Sequence, residues 1–181
     1  MDTWVWIVLA VVVVVALALV AAVAMRKRRS EQLREGFGPE YDHVVEETGD
    51  RREAERELSE RRKRHEDLDI VTLSDGVRDR YAAEWREVQA RFVDEPETAV
   101  RQADELVQRV MSDRVYPVAD DFERRAADVS VDYPDVVENF REGHRLAGES
   151  DTEALRQAMV HFRSLFAELL EGGRDREEVR S

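Results

Sequence analysis

The chain has 181 residues and no cysteine, with 28 basic against 41 acidic side chains and a net charge of −13. The absence of cysteine excludes disulfides, thiolate chemistry and cysteine-based zinc sites. The acidic balance argues against nucleic-acid binding, which needs a positive footprint.

A short N-terminal end, residues 1–3, precedes WVWIVLAVVVVVALALVAAVAM at 4–25, a run with no charge, Gly or Pro. As a helix this run rises about 33 Å at ~1.5 Å per residue. That matches a hydrocarbon core of roughly 30 Å, so the run predicts a single transmembrane helix with its backbone polar groups paired internally. Trp4 and Trp6 suit one membrane interface; Arg26, Lys27, Arg28 and Arg29 suit the other. The positive-inside rule then puts the C-terminal part in the cytoplasm and makes the lipid bilayer a partner through 4–25. The rival reading is an exported chain, released after Ala24 or displayed outside in inverted topology. A signal peptide wants a basic n-region and a shorter apolar core, which Met-Asp-Thr and this run do not supply.

Residues 26–74 read as a basic flank and a charged helical spacer. Gly36, Gly38 and Pro39 break any extension of the anchor helix, and Pro39 suits the first turn of a short helix to Thr48. Asp50, with Glu53 three residues on, resembles a capping box for a helix over 51–67. Ala54 and Leu58 are its only apolar residues, and Glu57–Arg61 and Glu60–Arg64 are i,i+4 pairs. A helix polar on all sides predicts a solvated spacer or a coiled-coil edge, and self-association through it or through the anchor would give a homo-oligomer. The stretch 68–73 lacks helical spacing and predicts an extended segment docked on the helical domain after it.

Residues 75–171 carry 13 basic and 23 acidic side chains, a net of −10. Apolar stripes there predict an all-α bundle of about five helices. Val77, Tyr81, Trp85, Val88 and Phe92 form the first stripe, in a helix that Ser74 can cap. Ala99, Val100, Ala103, Leu106, Val107, Val110 and Met111 form the second, after a join short enough to make the two helices neighbours. A shorter helix is expected over 118–129, with Phe122, Ala126 and Val129 inward. The next starts at Asp132 and Pro134 and carries Val136, Val137, Phe140 and His144. The last spans 151–171 with a Ser150/Glu153 capping box and a stripe from Leu155 to Leu169. Residues 172–181 read as a disordered tail.

Few residues point to chemistry. His43 and Glu46 have metal-ligand spacing, but one such pair is not a site, because carboxylate-bridged centres draw on several helices. No phosphate-cradling glycine loop, zinc-protease motif or nucleophile elbow is present. The glycines fall at helix ends and breaks. The reading is therefore no enzyme, no cofactor and no metal. The region 116–144 is the one candidate ligand or partner patch: Tyr116, Arg124, Asn139 and His144, with His144 four residues after Phe140 and so expected to point inward.

FGPEYD at 37–42, RFVD at 91–94, DFERRAAD at 121–128, SVDYP at 130–134, VENF at 137–140 and RQAMVHFR at 156–163 together resemble a family of uncharacterised bacterial proteins, usually named hypothetical or secreted. The resemblance covers about residues 37–170. Val115 stands where the family pattern has Gly before Tyr-Pro, and 70–73 departs from its usual Arg-Pro stretch. The resemblance implies the helical architecture and no activity, cofactor or catalytic residue. The near-exclusive use of arginine (Lys27 and Lys63 are the only lysines) fits a GC-rich bacterial genome. The expectation is a membrane-anchored helical scaffold or adaptor. The alternatives are a ligand-binding or enzymatic domain using 116–144, and an exported helical protein.

Overall fold

In the computed structural model the described residues are 3–117 and 121–172, less the side chains of Thr3, Val5, Ile7, Val8 and Ala10. Among them the protein is all-α, with seven helices and no strand. The tail from Gly173 onward, and Val118, Ala119 and Asp120 at the start of the expected third bundle helix, lie outside them.

The first helix, α1 (Thr3–Thr48), runs through Gly36 without breaking and turns at Gly38, where φ is 46° and ψ −125°. That backbone region suits glycine, and Pro39, which has no N–H to offer the preceding turn, starts a second limb. The turn is sharp. Arg51, three residues beyond α1, donates to Ser30 Oγ, and Arg34 Nη2 lies 3.2 Å from Asp42 Oδ1. A straight α1 would carry Thr48 about 27 Å past Ser30 at ~1.5 Å per residue, beyond the reach of an arginine. The two limbs therefore fold back on each other about Gly38.

Gly49 (φ 66°) ends α1, and the Asp50 side chain accepts from Arg52 N and Glu53 N to start α2 (Arg51–Glu66). This helix is not the solvated spacer its composition suggests. Ala54, Leu58 and Arg61 are buried, and the first two join Leu33, Phe37, Tyr41 and Val44 in a small core. Their spacing of four and three is a helical stripe whose third member is charged.

The segment 68–73 is non-helical, as expected, and α2 stops one residue before the expected Asp67. Val71 N donates to Arg114 O at 3.2 Å, and Leu73 is buried in the main core. The main core is built from α3 (Asp75–Arg91), α4 (Pro96–Asp113), α5 (Phe122–Val129), α6 (Val137–Ala147) and α7 (Thr152–Glu171). α4 packs against α3, α6 and α7, and α7 against α6. Trp85 of α3 stacks on Phe166 of α7 with ring centroids 4.6 Å apart. The expected caps shift slightly: Ser74 makes no side-chain capping bond, and Asp151 rather than Ser150 caps α7, accepting from Ala154 N. Helix α6 begins at Val137, after a turn over 130–136, instead of at Asp132.

Residues 4–25 lie in the first limb of α1. Trp4, Trp6, Leu9 and the Val, Leu and Met side chains described from Val11 to Met25 are each half exposed or more. Continuous described side chains begin at Val11 and reach charge at Arg26. Among the described residues no helix is long and apolar enough to cross a membrane, so the finer expectation of a spanning helix is not carried by the described residues.

Candidate functional site

Two grooves and two buried polar clusters hold most of the polar chemistry. The first groove lies between the first limb of α1 and the start of α2 and encloses about 650 Å³. Arg26, Lys27 and Arg29 line it from α1, and Arg51, Arg52 and Arg56 from α2, with Glu55 as its one acidic wall. The two rows meet because the fold-back at Gly38 brings α2 level with Ser30.

Glu55 is already engaged inside this groove. It accepts from Tyr41 Oη at 2.9 Å and Arg51 Nε at 3.0 Å. Partial burial pushes its carboxyl up, but hydrogen bonds from Ser30, Tyr41 and Arg51 outweigh that and hold it below the ordinary range. Arg56 pairs with Glu53 at 3.0 Å, and Lys27 sits 3.8 Å from Glu31. Arg26, Arg29 and Arg52 form no ion pair with any described residue. Of the expected membrane-interface cations, Arg28 alone does not line the groove.

The second groove, about 620 Å³, runs between α3 and α4 past Glu84, Glu87, Arg91, Glu105 and Arg109. Its charges are mixed, and Arg109 pairs with Glu84 at 2.6 Å.

The first buried cluster joins the folded-back helices to the bundle. Glu40, wholly buried, pairs with Arg61 of α2 at 2.7 Å and with Arg141 of α6 at 2.7 Å. Burial works against the Arg141 charge, and Glu40 and Glu123 more than offset it, so its pKa is raised. Nearby, His65 Nε2 of α2 lies 2.7 Å from Asp132 Oδ2, which also accepts from Tyr116 Oη. The second cluster centres on Arg114, at the end of α4. Its guanidinium donates to Val71 O, Leu169 O and Tyr133 Oη, with the Tyr116 and Tyr133 rings each 5.6 Å away.

The four residues singled out in 116–144 fall into different surroundings. Tyr116 is buried and bonded to Asp132. Asn139 accepts through Oδ1 from His161 Nδ1 at 3.1 Å and donates through Nδ2 to Ser164 Oγ. Arg124 is exposed and close enough to Asp128 to act on its charge. His144 does not point inward. It is exposed and stacks on Phe122 with centroids 3.7 Å apart. The inward position after Phe140 belongs to Gly143, because α7 approaches so closely that a Cβ there would meet His161 Cβ at 3.1 Å.

His43 faces Glu47 at 4.0 Å and Glu138 at 3.9 Å rather than Glu46. Among the described residues no group of three or more His, Asp or Glu side chains is placed to hold a metal. Sequence reasoning passed over Asp104. Its Oδ1 is buried without a hydrogen-bond partner among the described residues, and burial raises its pKa against the pull of Arg125 and His144. A perturbed acid can mark a site, but neither groove is lined by it.

Compared with known proteins, the chain matches no family model, no curated protein and no solved structure.

Proposed function

We propose that this chain is a single-pass membrane protein whose N-terminal limb anchors a helical interaction module, with the C-terminal domain on the cytoplasmic side. The observation that carries the reading is the uncovered apolar surface of α1. The described large apolar side chains between Trp4 and Met25 are half exposed or more, on every side of the helix. Leaving them in water costs on the order of tens of kcal/mol at ~1.5–3 kcal/mol per side chain, and a hydrocarbon phase removes that cost. The run ends at Arg26, where the cations begin and the folded part starts within two turns. The role assigned to the folded part is interaction rather than catalysis, because its buried ionisable groups are mostly spent on holding helices together.

Alkaline carbonate extraction of membranes tests the anchor, and a reporter active only in the cytoplasm, fused after Ser181, tests the topology. The full chain is expected in the membrane pellet, a chain lacking residues 1–25 in the supernatant, and the fusion active. A full chain released by carbonate overturns the anchor. A silent fusion on a carbonate-resistant chain overturns the orientation and favours the exported reading.

A further inference from the structure

We propose that the groove between the first limb of α1 and the start of α2 is a binding site for the phosphate of an acidic lipid headgroup. The proposal rests on the anchor reading and adds a discrete site to it. Six cations from two helices line one groove, and its single acid is neutralised from within by Arg51. Arg26, Arg29 and Arg52 are thereby gathered without an anionic partner among the described residues. Like charges so gathered repel each other unless an anion enters. Guanidinium groups pair with phosphate oxygens through two parallel hydrogen bonds, which favours phosphate over a diffuse counter-ion.

The helix end itself is not the recognition element. Asp50 already accepts from the N–H groups of Arg52 and Glu53, so binding falls to the side chains. The volume lies within the range of roughly 300–1,000 Å³ typical of small-ligand sites, large enough for a whole headgroup. Its position selects a lipid over a soluble phosphate. Val23, inside the apolar run, lines the same groove as Arg26, so a ligand seated on the arginines has hydrocarbon beside it. A lipid satisfies both walls at once.

The site differs from a general attraction of a basic flank to an anionic surface, and that difference is measurable. Native mass spectrometry of the full chain in a maltoside detergent, titrated with short-chain phosphatidylglycerol, counts bound lipids per chain. One lipid per chain is expected, with phosphatidylcholine not retained. Arg29 and Arg52 are exposed, so the pair Arg29→Gln and Arg52→Gln keeps the fold, checked by an unchanged melting temperature. That pair is expected to weaken binding at least about tenfold, the scale of losing charge-assisted hydrogen bonds. Arg28→Gln, the same charge change off the groove, is expected to change it less than about twofold.

An equal loss from Arg28→Gln means a diffuse field and overturns the site. Equal retention of phosphatidylcholine does the same. If glycerol phosphate, which carries the headgroup chemistry without acyl chains, binds as tightly as the lipid, the ligand is a soluble phosphate and the lipid assignment falls. Carbonate extraction keeps the two readings apart: a carbonate-resistant chain that binds no acidic lipid retains the anchor and loses the site, whereas a carbonate-released chain loses the anchor itself.

Discussion

The Glu40 carboxylate, with no side-chain exposure, is shared by Arg61 and Arg141, both within 2.7 Å, and Arg141 lies 101 positions away in the chain. One acid thus ties α1 to α2 and both to α6. Removing one partner of a buried ion cluster strands the others without water or counter-charge, which costs about 3–5 kcal/mol. Glu40→Ala is expected to lower the stability by that amount in urea unfolding. Replacing all three together, with Glu40→Leu, Arg61→Met and Arg141→Met, is expected to recover most of the loss. No recovery would show that the cluster contributes more than compensated charge.

Gly36 and Gly38 are two residues apart and carry opposite expectations. Gly38 sits at φ 46° and ψ −125°, a conformation open to glycine and costly for any residue with a Cβ. Gly38→Ala is expected to cost about 1–3 kcal/mol and to loosen the fold-back, read as a longer distance between spin labels placed on exposed positions of the two limbs. At Gly36 an added Cβ meets only the far end of the Arg62 side chain, which lies over the Phe37 ring at 5.3 Å. Arg62 can swing away and alanine favours the helix, so Gly36→Ala is expected to lie within about 0.5 kcal/mol of neutral or to stabilise.

Those two glycines show how far the sequence could be read. The bundle helices were legible because their stripes are apolar: Val77, Tyr81, Trp85, Val88 and Phe92 all reach the main core. α2 was legible as a helix capped by Asp50, but its burial was not, because the third member of its buried stripe is Arg61, and a count of apolar residues cannot see a charge buried by a partner on another helix. The turn at Gly38 was legible as a break, but its angle was not. That angle is what carries Arg51, Arg52 and Arg56 to the row at Arg26, Lys27 and Arg29, so the groove was invisible in a linear reading. His144 was misread because Gly143 takes the inward position, where a Cβ would crowd His161 Cβ of α7 at 3.1 Å.

Asp104 links the core to pH. Burial raises its pKa above 3.8, against the opposing pull of Arg125 and His144. The folded state therefore holds this proton more tightly than the unfolded state. Its contribution to stability is fully present below the unfolded value and is lost as pH rises through the folded one. Asp104 is half-buried, and its Oδ1 has no hydrogen-bond partner among the described residues. Asp104→Asn keeps the shape, and its carbonyl can still accept from Gln108, as Asp104 does now at 2.9 Å. The variant is expected to be more stable by about 1 kcal/mol at pH above the folded value, where Asp104 is ionised, with the gain shrinking towards zero as pH falls below the unfolded value. Urea unfolding of both chains across that range checks it. A gain that grows on acidification would reverse the sign and remove burial as the cause.

Val115 is the only non-glycine residue with positive φ among the described residues, at 69°. A β-branched side chain in the left-handed region is strained, because its Cβ crowds the neighbouring carbonyl. The surroundings enforce the conformation. Arg114, just before it, is buried and held by Val71 O, Leu169 O and Tyr133 Oη, while Tyr116, just after it, is buried on Asp132. With both neighbours fixed, residue 115 must make the turn. Its own side chain is 48 % exposed and adds little packing. Glycine adopts such a φ freely. It loses more chain entropy on folding, by roughly 0.5–1 kcal/mol, against strain of about 1–3 kcal/mol relieved. Val115→Gly is therefore expected to stabilise the fold by about 1 kcal/mol. Val115→Ala, which keeps a Cβ, is expected to give less of that gain in the same thermal unfolding series. A Val115→Gly chain that melts lower than the parent would mean the side chain's packing outweighs the strain of its backbone.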